Sequence, residues 1–99
     1  MKESTTINHI KAYLSSIPNL FFWKTHGGIY GTAGIPDIII CYRGRFIGLE
    51  VKANNRMPTA LQNNTIGKIR NAGGIAHVVY SIREVQEIIA THGGDGCRT

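Results

Sequence analysis

The sequence predicts an α/β sandwich, a mixed four-stranded sheet flanked by helices in the chain order α-β-β-β-α-β-α. Three observations predict it. Ile7, Ile10, Leu14 and Ile17 recur at the 3,4,3 spacing of a buried helical stripe. Two apolar runs flank Arg43-Gly44, a two-residue loop of hairpin type. A second helix closed by Gly73-Gly74 leads straight into an apolar run from Ile75, which makes a strand–helix–strand unit. Such a crossover is parallel and right-handed in nearly all sheets. A chain of 99 residues forms one domain, here residues 1–92, with 93–99 expected as a loose C-terminal tail.

In order, the first helix runs from Glu3 to Ser16 and ends at Pro18-Asn19. Stepping the apolar stripe back by four places Glu3 on the inward face. A helix N-terminus favours an acid electrostatically in any case, and Ser4 as N-cap would leave Glu3 outside the helix. Leu20 to Lys24 reads as a short buried strand, with Phe21-Phe22-Trp23 as core residues. Asp37–Tyr42 and Arg45–Ala53 form the hairpin. Pro58-Thr59 open a second helix that reaches Ala72, and the strand Ile75–Tyr80 follows. Ser81-Ile82-Arg83-Glu84 is a capping box that starts a last helix with Ile82, Val85, Ile88 and Ile89 as its buried stripe.

The hairpin register carries the chemistry. With Arg43-Gly44 as the loop, Tyr42 faces Arg45, Ile40 faces Ile47 and Asp37 faces Glu50. Directly opposed side chains have Cβ atoms about 4.5–5.5 Å apart, so the two carboxylates share a site. Lys52, two residues beyond Glu50, points the same way. The other face, Ile38, Ile40, Ile47, Leu49 and Val51, is wholly apolar, and a slip of one residue would bury the wrong set. Two adjacent acids repel each other until one takes up a proton or a divalent cation lies between them. Hard oxygen ligands suit Mg²⁺ or Mn²⁺ rather than Zn²⁺. Lys52 beside such an ion would hold the attacking water or the phosphate, or stabilise charge in the transition state. The plainer alternative is a surface pair between Lys52 and Glu50, with Asp37 a turn residue after Pro36.

Pro36-Asp37, twelve intervening residues and then Glu50-Val51-Lys52 resembles the signature of the PD-(D/E)xK nuclease superfamily. The longer run is similar to its VRR-NUC family, in the stand-alone, virus-type form. Its parts are Gly34-Ile35-Pro36-Asp37, Ile47-Gly48-Leu49-Glu50-Val51-Lys52, Gln62 at a helix start, and Gly73-Gly74 before an apolar strand. The match spans Glu3 to Tyr80. It implies a restriction-endonuclease-like α-β-β-β-α-β core, and a divalent-metal-dependent phosphodiesterase acting on DNA. Asp37 and Glu50 would be metal ligands, joined by the Val51 backbone carbonyl and by Glu3 if that residue faces the metal. Lys52 would be catalytic, and Gln62 would lie beside the site as well as completing a capping box with Thr59. Stand-alone members resemble Holliday-junction resolvases, which implies a homodimer that cuts branched DNA, four-way junctions first. A flap or duplex nicking nuclease would carry the same residues. A non-catalytic DNA-binding module on the same fold is the competing account.

Composition agrees with a polyanionic partner. Eleven basic residues stand against six acidic ones, giving a net charge of +5. If Asp37, Glu50 and Glu3 gather at one site, the remaining surface is more basic still. The segment Lys24 to Gly34 holds four glycines in eleven residues and leads into Asp37. A DNA-facing loop is expected there, with Lys24, His26 and Tyr30 as contacts. Arg43, Arg45, Arg56 and Lys68 are the other candidate phosphate contacts. That loop is too irregular for a P-loop or a dinucleotide fingerprint, so no organic cofactor is expected. His9, His77 and His92 lack metal spacing with either cysteine, which argues against zinc. There is no run long enough for a membrane helix and no apolar core for a signal peptide at Met1–Thr6. Cys41 and Cys97 do not make a disulfide framework. An intracellular setting is expected, cytoplasmic or host cytoplasm if the source is a phage.

Overall fold

The computed structural model describes residues 2–26 and 34–93. The elements are α1 (Glu3–Ser15), β1 (Leu20–Lys24), β2 (Ile38–Tyr42), β3 (Arg45–Val51), α2 (Ala60–Asn71), β4 (Ile75–Val79) and α3 (Ile82–Gly93). The strands lie in the order β1-β2-β3-β4. β1 and β3 each run antiparallel to β2, and β4 runs parallel to β3 after the α2 crossover. This is the mixed four-stranded α/β sheet that the periodicities predict.

The tight turn sets the register. Arg43 (φ 53°) and Gly44 (φ 79°) both have positive φ, the requirement of a type I′ hairpin. Tyr42 pairs with Arg45, Ile40 with Ile47 and Ile38 with Leu49. Ile38, Ile40, Ile47, Leu49 and Val51 then form one buried face. Ile10 and Leu14 of α1 and Val85 and Ile89 of α3 join it in a single core cluster. On the opposite face α2 packs over β3 and β4. There the Pro36 ring lies against Gly48, where a Cβ would come within 3.0 Å of Pro36 Cγ. Gly34 has φ +82°, and a Cβ on it would meet Leu61 Cγ at 2.8 Å, so the approach to Asp37 admits no side chain at that position.

Several boundaries differ from expectation, each for a local reason. α1 begins at Glu3 behind Lys2, whose side chain makes no capping bond; Ser4 is therefore inside the helix and so is Glu3. β2 starts at Ile38 and β3 stops at Val51, leaving Asp37 and Lys52 just beyond the strand ends. At α3, Ser81 Oγ accepts from the Glu84 N–H at 3.4 Å. The Glu84 carboxylate accepts from the N–H of Tyr80, one residue earlier than a capping box with Ser81 requires. Gly93 closes α3 instead of opening a tail, and residues 94–99, Cys97 among them, lie outside the described residues. No helix among the described residues is long and apolar enough to cross a membrane.

The expectation of a buried β1 is overturned. β1 is an edge strand. Leu20 and Phe22 turn toward the core cluster, but Phe21 and Trp23 are 66% and 48% exposed. They alternate onto the face that α2 covers only over β3 and β4. A stability comparison tests this division. Leu14→Ala, which opens a cavity in the core, is expected to cost about 2–5 kcal/mol. Phe21→Ala is expected to cost under about 1 kcal/mol. Urea unfolding of both variants reads the contrast, and equal losses would mean that Phe21 is part of the core.

Candidate active site

The site lies where β2 begins and β3 ends. The β1–β2 ladder pairs Lys24 with Ile38, and the Thr25 N–H carries it one step further by donating to the Asp37 carbonyl at 2.8 Å. Thr25 Oγ1 donates to the carbonyls of Pro36 (2.8 Å) and Asp37 (3.2 Å). The Asp37 side chain is held from the other direction, its Oδ2 accepting from the Val51 N–H at 2.8 Å. The register places Asp37 opposite Glu50, one step past the Ile38–Leu49 pair.

Glu50 is the buried partner, 3% exposed. Its Oε2 accepts from Gln62 Nε2 at 2.9 Å. Its Oε1 is buried with no hydrogen-bond partner among the described residues. Burial first, then the close Asp37 charge and a smaller push from Glu3, against the opposing pull of Lys52, together raise the Glu50 carboxyl to about 8. The pair thus behaves as two acids too close to ionise together.

An orphaned, buried carboxylate oxygen next to a second carboxylate fits a hard divalent cation. Lys52 N–H donates to the Val79 carbonyl on the β4 side, whereas the Val51 N–H points to Asp37 on the β2 side. In an extended strand a residue's N–H and C=O share an edge, so the Val51 carbonyl also faces Asp37. Among the described residues no three His, Cys, Asp or Glu side chains stand close enough to cage a metal. Two carboxylates and a carbonyl are the donors a cation would find there, a set that would suit Mg²⁺, which is commonly held by one or two carboxylates and keeps much of its water.

Two candidates left open by the sequence are placed. Glu3 Oε2 accepts from the Ala53 N–H at 3.1 Å, so its carboxylate ties the first turn of α1 to the chain just after Lys52. Gln62 closes the expected cap and also reaches Glu50. Its Oε1 accepts from the Thr59 N–H at 2.8 Å, while its own N–H donates to Thr59 Oγ1 at 3.1 Å, a complete capping box. Its Nε2 is thereby left for Glu50. Lys52, by alternation along the chain, leaves β3 on the same face as Glu50.

The expected DNA contacts are more dispersed. Lys24 Nζ donates to the Thr25 carbonyl at 3.0 Å, and His26 is exposed just beyond it; Tyr30 lies outside the described residues. Arg43 and Arg45 sit at the hairpin turn, roughly 17 Å along β3 from Glu50 at about 3.4 Å per residue. There Arg43 lies over the Tyr42 ring, 5.7 Å from its centroid, and the pair is not gathered at the site. Arg56 is exposed in the segment after Lys52, where its carbonyl accepts from Tyr80 Oη at 3.0 Å. Lys68 is exposed in the last turn of α2. Thr25 escaped sequence reasoning: the one available signal was the hairpin pairing continued across β1, which puts it opposite Asp37.

No model of a known protein family and no curated protein matches the sequence. Solved structures do match. A chain described as "VRR_NUC domain" superposes with a TM-score of 0.74 at 25% identity, covering 91% of this chain and 96% of that one. The chain has the fold of that VRR-NUC domain. A second structure, "VRR_NUC domain protein", shares the fold at a TM-score of 0.71 and 19% identity, covering 91% of this chain and 86% of the other. The likeness in fold therefore spans nearly the whole chain.

Two outcomes follow from the Glu50 environment. Its folded pKa is raised, so its contribution to stability is complete below about 4.5 and is lost as pH rises through about 8. Without metal, the melting temperature of the protein relative to Glu50→Gln is expected to fall across that window. A difference that stays flat would remove Glu50 as the titrating group. Gln62→Glu keeps the cap but sets an acceptor against Glu50 Oε2. It is expected to lose metal-free stability by about 1–3 kcal/mol above pH 8, whereas Thr59→Ala should lose about 1 kcal/mol at every pH.

Proposed function

We propose that this domain is a nuclease, a divalent-metal-dependent DNA endonuclease, structure-selective, with four-way junctions the best candidate substrate. The observation that carries the reading is the orphaned Glu50 Oε1, buried beside Asp37 on the face that also bears Lys52. A pure binding module gains nothing from a buried acid pair turned toward phosphate, since the pair repels the ligand.

Asp37, Glu50 and the Val51 carbonyl would hold the Mg²⁺ or Mn²⁺. When bound, that ion polarises a phosphate oxygen and lowers the pKa of an attacking water. Thr25 and the Val51 N–H fix Asp37 from two sides. Gln62 holds Glu50 in one rotamer through Nε2, which leaves Oε1 for the metal. Lys52 supplies positive charge where negative charge develops on the phosphate in the transition state. Glu3 supports the site through Ala53 and stands outside the ligand set.

One chain brings one such site, and cutting two strands of a junction requires two. A two-fold homodimer meets that requirement most simply. Flap or duplex nicking would use the same residues with a different docking of DNA.

The test is cleavage of labelled duplex, flap, splayed-arm and four-way-junction DNA with Mg²⁺ or Mn²⁺. Wild type, Asp37→Ala and Lys52→Ala are run in parallel, with circular dichroism to confirm folding. Paired symmetric cuts in the junction are expected, and each variant should lose at least about 100-fold in rate. Cleavage of flap or duplex alone would discard the junction and keep the chemistry. Binding without cleavage under either metal would make the domain a binding module, and retained cleavage by Asp37→Ala would move the site elsewhere.

A further inference from the structure

The exposed aromatic residues of β1 have no role in the chemistry so far assigned. Phe21 and Trp23 are 66% and 48% exposed. Their ring centroids are 5.7 Å apart at a 48° tilt, so they present one continuous apolar surface. Their position in the sheet gives that surface a meaning. Trp23 pairs with Ile39 and Phe21 with Cys41, and the same ladder continues through Thr25 to Asp37. Side chains at alternate positions share a face and are about 6.8 Å apart along a strand. Trp23 is thus one step from the row of Thr25, Asp37 and Glu50, and Phe21 is two. All stand on the face that carries the acid pair.

Nothing among the described elements covers this half of the face, since α2 packs over β3 and β4 and β1 is the open edge of the sheet. Charge on this face also suits a nucleic acid. Glu84 and Glu87 belong to α3, whose Val85 and Ile89 pack into the core cluster on the opposite side. Asp37, Glu50 and Glu3 stand at the site itself. Among the described residues no carboxylate lies beside the two rings to repel a phosphate backbone.

We propose that Trp23 and Phe21 form a stacking platform for unpaired nucleobases of the DNA strand held in the active site. This rests on the nuclease reading and narrows its substrate. Bases inside a duplex already use both ring faces in stacking, so only unpaired bases can lie on the platform. The substrate then needs unpaired nucleotides next to the scissile phosphate, as a branch point, flap or frayed end provides. A second copy of this chain is the competing occupant of the same surface.

Trp23 is the single tryptophan of the chain, so its emission reports on this site alone. The full chain carrying Asp37→Ala, in EDTA, is titrated with a ten-nucleotide oligothymidylate and with a blunt duplex of the same length. Affinity is read separately from the anisotropy of a labelled strand. The single strand is expected to quench the emission on binding, and the duplex is not. Phe21→Ala should weaken single-strand binding by about 5- to 100-fold, and Trp23→Phe should keep affinity within a few-fold because it keeps a stacking ring.

Binding without quenching, no single-strand binding at all, or equal quenching by duplex would each overturn the platform. So would a blue shift that grows with protein concentration in the absence of DNA, since it would show a second copy covering the rings. The nuclease reading is judged apart, by cleavage with wild type and metal. Quenching without cleavage would keep the platform and remove the enzyme, whereas cleavage without quenching would do the reverse.

Discussion

Two carboxyl groups held together at the end of a hairpin are the constraint around which this molecule is arranged. The arrangement is costly, because burial and mutual repulsion both penalise the second charge. Every surrounding contact resists the relaxation that would relieve it. The I′ turn fixes the pairing, Thr25 and the Val51 N–H fix Asp37, and Gln62 fixes Glu50. The Glu3–Ala53 bond closes the array from the first helix. The acid pair is an unfavourable local interaction that the rest of the fold is stable enough to maintain.

The fold was largely legible because its signals are local and redundant. The stripe Ile7, Ile10, Leu14 located α1, and Arg43-Gly44 fixed the hairpin register to the residue. Gly73-Gly74 marked the crossover. β1 was misread because an apolar run carries no record of which face is covered: Leu-Phe-Phe-Trp reads the same buried or half-exposed, and only the placement of α2 over β3 and β4 decides. The shifted contact of Glu84 was equally invisible, since Tyr80 and Ser81 present equivalent N–H groups to its side chain.

The site divides the same way. Asp37, Glu50 and Lys52 follow from alternation once the register is known. Gln62 shows that a cap does not exhaust a side chain: the amide has two ends, and here Oε1 closes the cap while Nε2 holds Glu50. The arginines at the turn show what nearness in sequence leaves out. Flanking the hairpin in sequence put Arg43 and Arg45 in the same group as Lys24, yet strand length carries them to the far end of the sheet. Thr25 had no residue-type signal, because a threonine after a strand has many ordinary uses.

The clasp between Thr25 and the Pro36 and Asp37 carbonyls has one more consequence. It pins both ends of the intervening chain at neighbouring positions, whatever the sequence between them. Closing a longer loop on fixed ends adds only about 0.6 kcal/mol for each doubling of its length. Asp37 is thereby held from the Thr25 side as well as through the packing of Gly34 and Pro36. Insertions and deletions ahead of Gly34 would leave the pair where it is, so this is the stretch in which such a scaffold can change length while the acid pair stays fixed.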